Sequence, residues 1–210
     1  MHASGPTSPS PRRTRSDGER SRAAILREAA RLATVEGLDG LSLGRLADAV
    51  GMSKSGLYAH FGSKEELQLA TVDAATAIFD EQVVGPASRA PEGVARLRAF
   101  TERFLDHIHD GVFPGGCFFA SAASELDTHP GPVRDRAMAV NMRWLERLAE
   151  QVVAAQAAGE LAQDADPAQV AFELNSYLFL GNTQYVLSGD DAVLERVRRA
   201  VATRLDALAG

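Results

Sequence analysis

The chain of 210 residues has a hydrophobic content of 45% and a formal net charge of −6. This length permits a substantial core in one large domain or two small ones, and no apolar run approaches the roughly 18 residues of a membrane span. The N-terminus lacks the apolar segment of a signal peptide, so we expect a cytoplasmic protein with no membrane partner. The single cysteine, Cys117, excludes an intrachain disulfide and a cysteine-based zinc cluster.

The charge is unevenly distributed along the chain. Residues 1–66 hold ten basic and eight acidic residues, a net +2, which leaves −8 on residues 67–210. The basic end is therefore the candidate for nucleic-acid binding. The excess is modest, and it favours a specific site contacted by a few cations over the wrapping of bulk DNA.

Residues 1–16 mix proline, serine, glycine and threonine with Arg12, Arg13 and Arg15, and they show no apolar period. This composition predicts a disordered basic tail. Two readings remain open: a solvated leader without a role, or an arm whose arginines reach phosphates or an adjacent minor groove.

A first helix is predicted over 19–35, and residues 42–61 then predict two short helices joined by a tight turn. Gly51 suits the left-handed end of the first of these two helices, and Ser53 can cap the second. The spacing predicts a helix-turn-helix whose second helix fits a DNA major groove. The alternative is an ordinary helical hairpin. Against it, no acid lies between Ser53 and Ser63, and Gly56 inside a short helix costs about 1 kcal/mol, which indicates close approach of a partner.

This segment resembles the DNA-binding domain of TetR/AcrR-family transcriptional regulators over about residues 20–67. The resemblance rests on Leu46-Ala47, Gly51-Met52-Ser53-Lys54, Leu57-Tyr58, His60-Phe61 and Ser63-Lys64-Glu65-Glu66-Leu67. It implies an all-α fold of about nine helices, in which an N-terminal three-helix DNA-binding domain precedes a larger helical domain for effector binding and dimerisation. The predicted divisions are 1–16 for the tail, 17–66 for the DNA-binding domain and 67–210 for the second domain.

The resemblance also implies roles for individual residues. Phosphate contacts fall to Ser42 and Lys64, base-edge contacts to Lys54, Ser55 and Gly56, and backbone contacts to Tyr58 and His60; Arg45 and Ser53 complete the predicted DNA-contact set. Two positions depart from the family pattern, since Gly44 replaces a side chain that can read bases and Ala59 replaces a frequent aromatic. Both departures reduce the base contacts, so the operator sequence is not predictable.

Six further helices are predicted over 64–84, 91–110, 117–126, 133–158, from Asp166-Pro167 onward, and 191–208. Gly85-Pro86 is expected to end the fourth helix, which is the only evident mechanical link between the two domains. The eighth helix is apolar on all sides and the ninth carries an apolar stripe. We expect these last two helices to form a homodimer seam, with a purely central core helix as the alternative for the eighth.

Helices five to eight supply aromatic residues and a few polar groups, the composition of a pocket in a helical domain. The predicted effector pocket consists of Phe104, His107, Phe113, Cys117, Phe118, Asn141, Trp144, Phe172, Asn175 and Tyr177. Its small-molecule effector is left unidentified.

Cys117 follows two glycines at a helix start, so it is either a redox-sensing thiol or a small buried residue. The residues His107, His109, Asp110, Glu125 and His129 have poor spacing for a metal site, and neither metal nor cofactor is expected. With no phosphate loop and no Gly-x-Ser-x-Gly elbow, the chain is not expected to be an enzyme. The preferred function is a homodimeric, ligand-released repressor that binds a palindromic operator. The alternative is a helical small-molecule-binding or redox-sensing protein that does not act through DNA.

Overall fold

The computed structural model describes residues 15–126, 128 and 130–209, and these residues form nine helices and no named strand. The helices are α1 (Arg15–Glu36), α2 (Leu43–Val50), α3 (Lys54–Tyr58), α4 (Lys64–Phe79), α5 (Val94–His109), α6 (Phe118–Leu126), α7 (Pro132–Ala157), α8 (Pro167–Ser188) and α9 (Asp191–Ala207). The predicted all-α fold is confirmed. The first 14 residues of the predicted basic tail lie outside the described residues, and α1 begins four residues before its predicted start.

Helices α1 to α3 pack around a small apolar core beneath the turn of the helix-turn-helix. Leu46, Leu57 and Phe61 are fully buried there, so α2 and α3 are held by their inner faces. Gly51 ends α2 in the left-handed region, with a φ of 66°. The local sequence signals thus fix both the turn and the face of α3 that is left outside.

The predicted end of α4 at Gly85-Pro86 is wrong. After Phe79 the helix widens into a π-helical segment, Asp80–Val84, and continues as a further turn, Gly85–Ala87. Pro86 lies in the first turn of this last segment, where its missing N–H leaves no hydrogen bond unmade. The chain therefore remains helical past the proline.

Two other helix starts differ from expectation. Helix α5 begins at Val94, three residues later than predicted, because the carboxylate of Glu160 accepts its free backbone N–H at 2.9 Å. Helix α6 begins at Phe118, so Cys117 precedes its first turn.

Helix α8 lies between α7 and α9 and supplies both core and surface. Leu174 and Leu178 are fully buried, whereas Phe172, Leu180 and Leu187 are 61%, 58% and 81% exposed. Helix α8 therefore carries apolar side chains on both its buried and its exposed sides, which is why its sequence shows no polar face.

Helix α4 runs from the helix-turn-helix to the C-terminal body. The sequence indicated that it is the only evident link between the two domains, but the structure shows a second one. The carboxylate of Glu125 at the end of α6 accepts hydrogen bonds from Leu38 and Asp39 in the turn after α1. Sequence spacing does not reveal such a contact, because its partners lie 86 and 87 residues apart.

Candidate functional site

The exposed face of α3 is the candidate DNA-reading surface. The hydroxyl of Ser53 caps the helix by accepting the N–H of Gly56 at 3.1 Å. Lys54, Ser55 and Tyr58 are exposed, and within the described part of the chain Lys54 makes no ion pair. The helix therefore presents an unpaired cation, a hydroxyl and a phenol on the side opposite to its buried Leu57.

Gly44 at the start of α2 lies beside Lys54. A Cβ placed on Gly44 would be 3.9 Å from Lys54 Cε and 4.0 Å from its Nζ, which is ordinary contact distance. A longer side chain at this position would compete with Lys54 for the same surface. Because residue 44 is glycine, it has no side chain that would cover the ammonium group of Lys54 on this side.

Two cations of the predicted DNA-contact set are engaged within the chain. Arg45 forms a salt bridge with Glu36, with 2.6 Å between Nη2 and Oε1, and the hydrogen bond from Arg45 lowers the pKa of that carboxyl. Lys64 Nζ donates to the backbone carbonyl of Asp39 at 2.6 Å and lies 3.0 Å from its carboxylate. These ions are exposed, and DNA phosphates would have to compete with their present partners.

The remaining predicted DNA contacts border the same face. Ser42 is exposed, and its hydroxyl caps α2 by accepting the N–H of Arg45 at 3.2 Å. His60 follows α3, and its carbonyl accepts a hydrogen bond from Arg22 at 2.8 Å. The guanidinium of Arg22 also lies 4.4 Å above the ring of Phe61. Helix α1 thus holds the segment that follows α3 in place.

A narrow cleft in the C-terminal body encloses only about 20 Å³ of free volume, within about 360 Å³ of non-atom space that includes its open mouth. It is lined by Phe79, Phe104, Cys117, Phe119, Ala120, Val140, Asn141, Trp144, Asn175 and Phe179. Five of the ten residues predicted for the effector pocket line it: Phe104, Cys117, Asn141, Trp144 and Asn175.

The other five predicted pocket residues lie elsewhere. Phe113 and Phe118 are buried in the neighbouring aromatic core. Phe172 points outward from α8, and Tyr177 lines a surface groove between α8 and α9. His107, the fifth, is buried as well. Position along an apolar helix does not indicate which side faces the cleft, and that is why the sequence grouped these five residues with the ones that line it.

Two of the lining residues that were not predicted share helical spacing with residues that were. Val140 precedes Trp144 by one turn, and Phe179 follows Asn175 by one turn, so the i,i+4 rule was an available signal. Phe79 carried no such signal, because it comes from the end of α4. Its ring lies edge-on to Trp144 with 5.3 Å between centroids, so α4 reaches the cleft wall.

The polar groups of the cleft are amides. Trp144 Nε1 donates to Asn175 Oδ1 at 3.1 Å, which leaves the amide NH₂ of Asn175 available as a donor. No charged side chain belongs to the described lining. The arrangement suits an apolar group that carries a hydrogen-bond acceptor.

His107 belongs to a buried polar pair rather than to the cleft. Its Nδ1 lies 2.9 Å from Oε1 of Gln82 in the π-helical segment. Burial lowers the pKa of His107 to about 4, so the imidazole is neutral at neutral pH.

Cys117 is fully buried beside the cleft, and its burial raises the pKa of the thiol to about 11. The N–H groups of Ala120 and Phe119 act in the opposite direction but are outweighed. The thiolate that oxidation requires is disfavoured by this burial, which favours the small buried residue over the redox-sensing thiol.

Metal ligation finds little support in the geometry. No group of three His, Cys, Asp or Glu side chains converges on a metal-sized site within the ranges that the structure describes, and His129 lies outside them. None of the helices in those ranges combines the length and the apolar character that a membrane crossing needs.

Comparison with known proteins identifies both halves of the chain. Residues 25–71 match the family model of bacterial regulatory proteins of the tetR family, and residues 93–201 match that of the tetracyclin repressor-like C-terminal domain. The transcriptional regulator AcuR of Cereibacter sphaeroides is 28% identical over 158 residues, which cover 74% of this chain and 71% of AcuR.

Solved structures agree. A TetR transcriptional regulator from Chloroflexus aurantiacus J-10-FL superimposes with a TM-score of 0.85 at 26% identity, over 92% of this chain and 98% of its own. The structure of AibR in complex with isovaleryl coenzyme A and operator DNA superimposes with a TM-score of 0.70 at 26% identity, over 90% and 98%. The C-terminal model alone spans more than half of the chain, and the protein belongs to the TetR family of DNA-binding transcriptional regulators.

Proposed function

We propose that this regulator is a repressor that binds a palindromic operator as a homodimer and is released by a small-molecule effector. The observation that carries the proposal is the unpaired, exposed Lys54 beside Ser55 and Tyr58 on a capped α3. In this proposal residues 17–66 bind DNA, and residues 67–210 bind the effector and dimerise.

The dimer seam would use α8 and α9. Leu180 and Leu187 are seven residues apart on α8 and therefore share a helix face, and both are more than half exposed in the single chain. A two-fold arrangement of α8 and α9 would cover these side chains and set the two reading helices about one DNA turn apart, ~34–36 Å or slightly more.

The test is selection of bound fragments from a random DNA pool over a salt series. We expect an inverted repeat, with binding that weakens steeply as salt rises because phosphate contacts release counterions. A recovered motif without two-fold symmetry would contradict the dimeric operator. Recovery of no motif would contradict DNA recognition itself.

The effector would occupy the amide-containing aromatic cleft, whose side chains would have to move apart to admit it, since the enclosed volume is only about 20 Å³. The AibR structure holds isovaleryl coenzyme A, whose small acyl group is branched and apolar and ends in a carbonyl. Such a group matches the apolar lining of the cleft and its amide donor. The effector would favour a dimer whose reading helices are wrongly spaced, and Phe79 at the end of α4 would transmit the change. Effective release requires a preference of a few kcal/mol for that state.

Trp144 provides a direct measurement, because it is the single tryptophan of the chain and it lines the cleft. We expect isovaleryl coenzyme A, used as a probe together with other short acyl thioesters, to change its emission saturably when the cleft fills. Asn175→Leu should weaken this response by about tenfold, because it removes the amide donor. An equal response in that variant would place the ligand elsewhere.

A further inference from the structure

The carboxylate of Glu125, near the C-terminal end of α6, forms hydrogen bonds with the DNA-binding domain. Glu125 Oε2 accepts the backbone N–H of Leu38 at 2.7 Å, and Oε1 accepts that of Asp39 at 2.6 Å. Both donors lie in the turn between α1 and α2. A charged acceptor that takes two successive N–H groups makes stronger bonds than a neutral one, so this contact fixes the turn in position and direction.

The turn is shaped to receive that carboxylate. Gly37 has a φ of 82°, and a Cβ on it would lie 2.9 Å from Glu125 Oε1 and 3.2 Å from Oε2. A side chain at this position would push the carboxylate away as well as strain the backbone. The glycine thus serves the approach of α6 as much as the end of α1.

Helix α4 holds the opposite side of the same turn. Gln68 Nε2 donates to the carbonyl of Leu38 at 2.7 Å, and Lys64 Nζ donates to that of Asp39 at 2.6 Å. The N–H groups of the turn are thus taken by α6 and its carbonyls by α4. The orientation of the helix-turn-helix depends on both helices together.

The beginning of α6 belongs to the effector cleft and also contacts α1. Phe119 and Ala120 line the cleft. Just before α6, the N–H of Gly115 donates to Thr34 Oγ1 at 3.2 Å, and a Cβ on Gly115 would overlap the carbonyl oxygen of Thr34. Helix α6 therefore lines the cleft and contacts the DNA-binding domain near both of its ends.

From this geometry we infer that Glu125 is a positioning residue that couples the cleft to the reading helix through α6, in parallel with α4. The inference rests on the proposed function for its regulatory meaning. Because the coupling free energy between two sites is reciprocal, we expect DNA binding to affect the cleft in turn. The route can therefore be followed from the DNA side, without knowledge of the effector.

The first experiment compares the free full-length protein with Glu125→Gln by amide hydrogen exchange. The carboxamide keeps the size of the side chain but loses the charge and one of its two acceptor atoms. We expect exchange of the Leu38 and Asp39 amides to accelerate about tenfold, with α8 and α9 unchanged. Glu146→Gln, which alters an exposed glutamate of α7, is the matched control and should leave this turn unchanged. Equal protection in Glu125→Gln and the parent would overturn the positioning role.

The second experiment follows Trp144 emission as the operator duplex recovered by selection is added. Trp144 lies in the cleft, so an emission change at saturating DNA reports transmission. In Glu125→Gln this change should fall by at least about half while dimerisation is retained, because only one of two routes remains. Gly37→Ala, which displaces the carboxylate from the opposite side, should act alike. An undiminished change in both variants, or no change in the parent, would overturn the coupling.

The two proposals fail in distinguishable ways. If the parent chain binds no duplex, the proposed regulatory function fails, but the exchange experiment on the free protein still decides whether Glu125 positions the turn. If the parent binds its operator and Glu125→Gln matches it in exchange and emission, the proposed function stands and the α6 route is wrong.

Discussion

Simultaneous replacement of Lys54 and Tyr58 by alanine is expected to weaken operator binding by about 100-fold or more. Lys54 is an unpaired cation at the beginning of α3, and Tyr58 is 49% exposed one turn later on the same face. Contacts of this kind contribute about 1–3 kcal/mol each when a base edge or phosphate is engaged, and the two together account for the expected factor. The dependence of affinity on salt should also become shallower by about one ion, because one cation is lost.

The same double variant should keep its fold, its melting temperature and its dimeric state. Both side chains project from the surface, and such substitutions change stability by about 0.5 kcal/mol or less. Arg143→Ala, which removes an exposed cation from α7, is the matched control and should bind the operator like the parent. Binding isotherms over a salt series measure the operator affinity of the parent, the double variant and the control. Wild-type affinity in the double variant would mean that α3 does not read DNA.

Leu180→Asp is expected to convert the dimer into monomers and thereby to weaken operator binding by about 100-fold or more. Leu180 is 58% exposed on α8, where a second copy would cover it. Two-fold symmetry places the new carboxylate in the seam twice, and an unpaired charge buried at an apolar contact costs several kcal/mol. Operator affinity falls as well, because the two reading helices are no longer linked.

Sedimentation at micromolar concentration measures the first effect, and binding to the selected inverted repeat measures the second. Met142→Asp provides the matched control, since Met142 is 56% exposed but lies on α7 rather than on α8 or α9. It should remain dimeric. A dimeric Leu180→Asp variant, or a monomeric Met142→Asp variant, would move the seam away from α8.

The helix-turn-helix could be predicted from the sequence alone, because the signals that build it are local. Ser42, Ser53 and Ser63 each cap the helix that follows them, and Gly51 ends α2 in the left-handed region. Each of these interactions joins residues only a few positions apart, so spacing alone reveals it. The family resemblance follows from the same short-range pattern.

The lining of the aromatic cleft was only half predictable from the sequence. A helical period shows that α7 and α8 have apolar faces, but it does not show which neighbour each face meets. Trp144 was found from its stripe, whereas Phe79 arrives from the end of α4 and Phe172 turns away to the surface. Helix α8, apolar on both sides, carries too little periodic contrast to assign any one residue to the cleft.

The contacts that join the two halves of the chain became apparent only from the packing of the helices. Glu125 reads in the sequence as an acidic residue at the end of a short helix, and Gly37 as an ordinary helix stop. The hydrogen bond between Glu125 and Leu38, the residue after Gly37, joins positions 87 residues apart. It forms because α6 packs across the end of α1. Local chemistry determines helices and their caps, but the meeting of distant polar groups depends on the packing of whole helices, which no short-range pattern encodes.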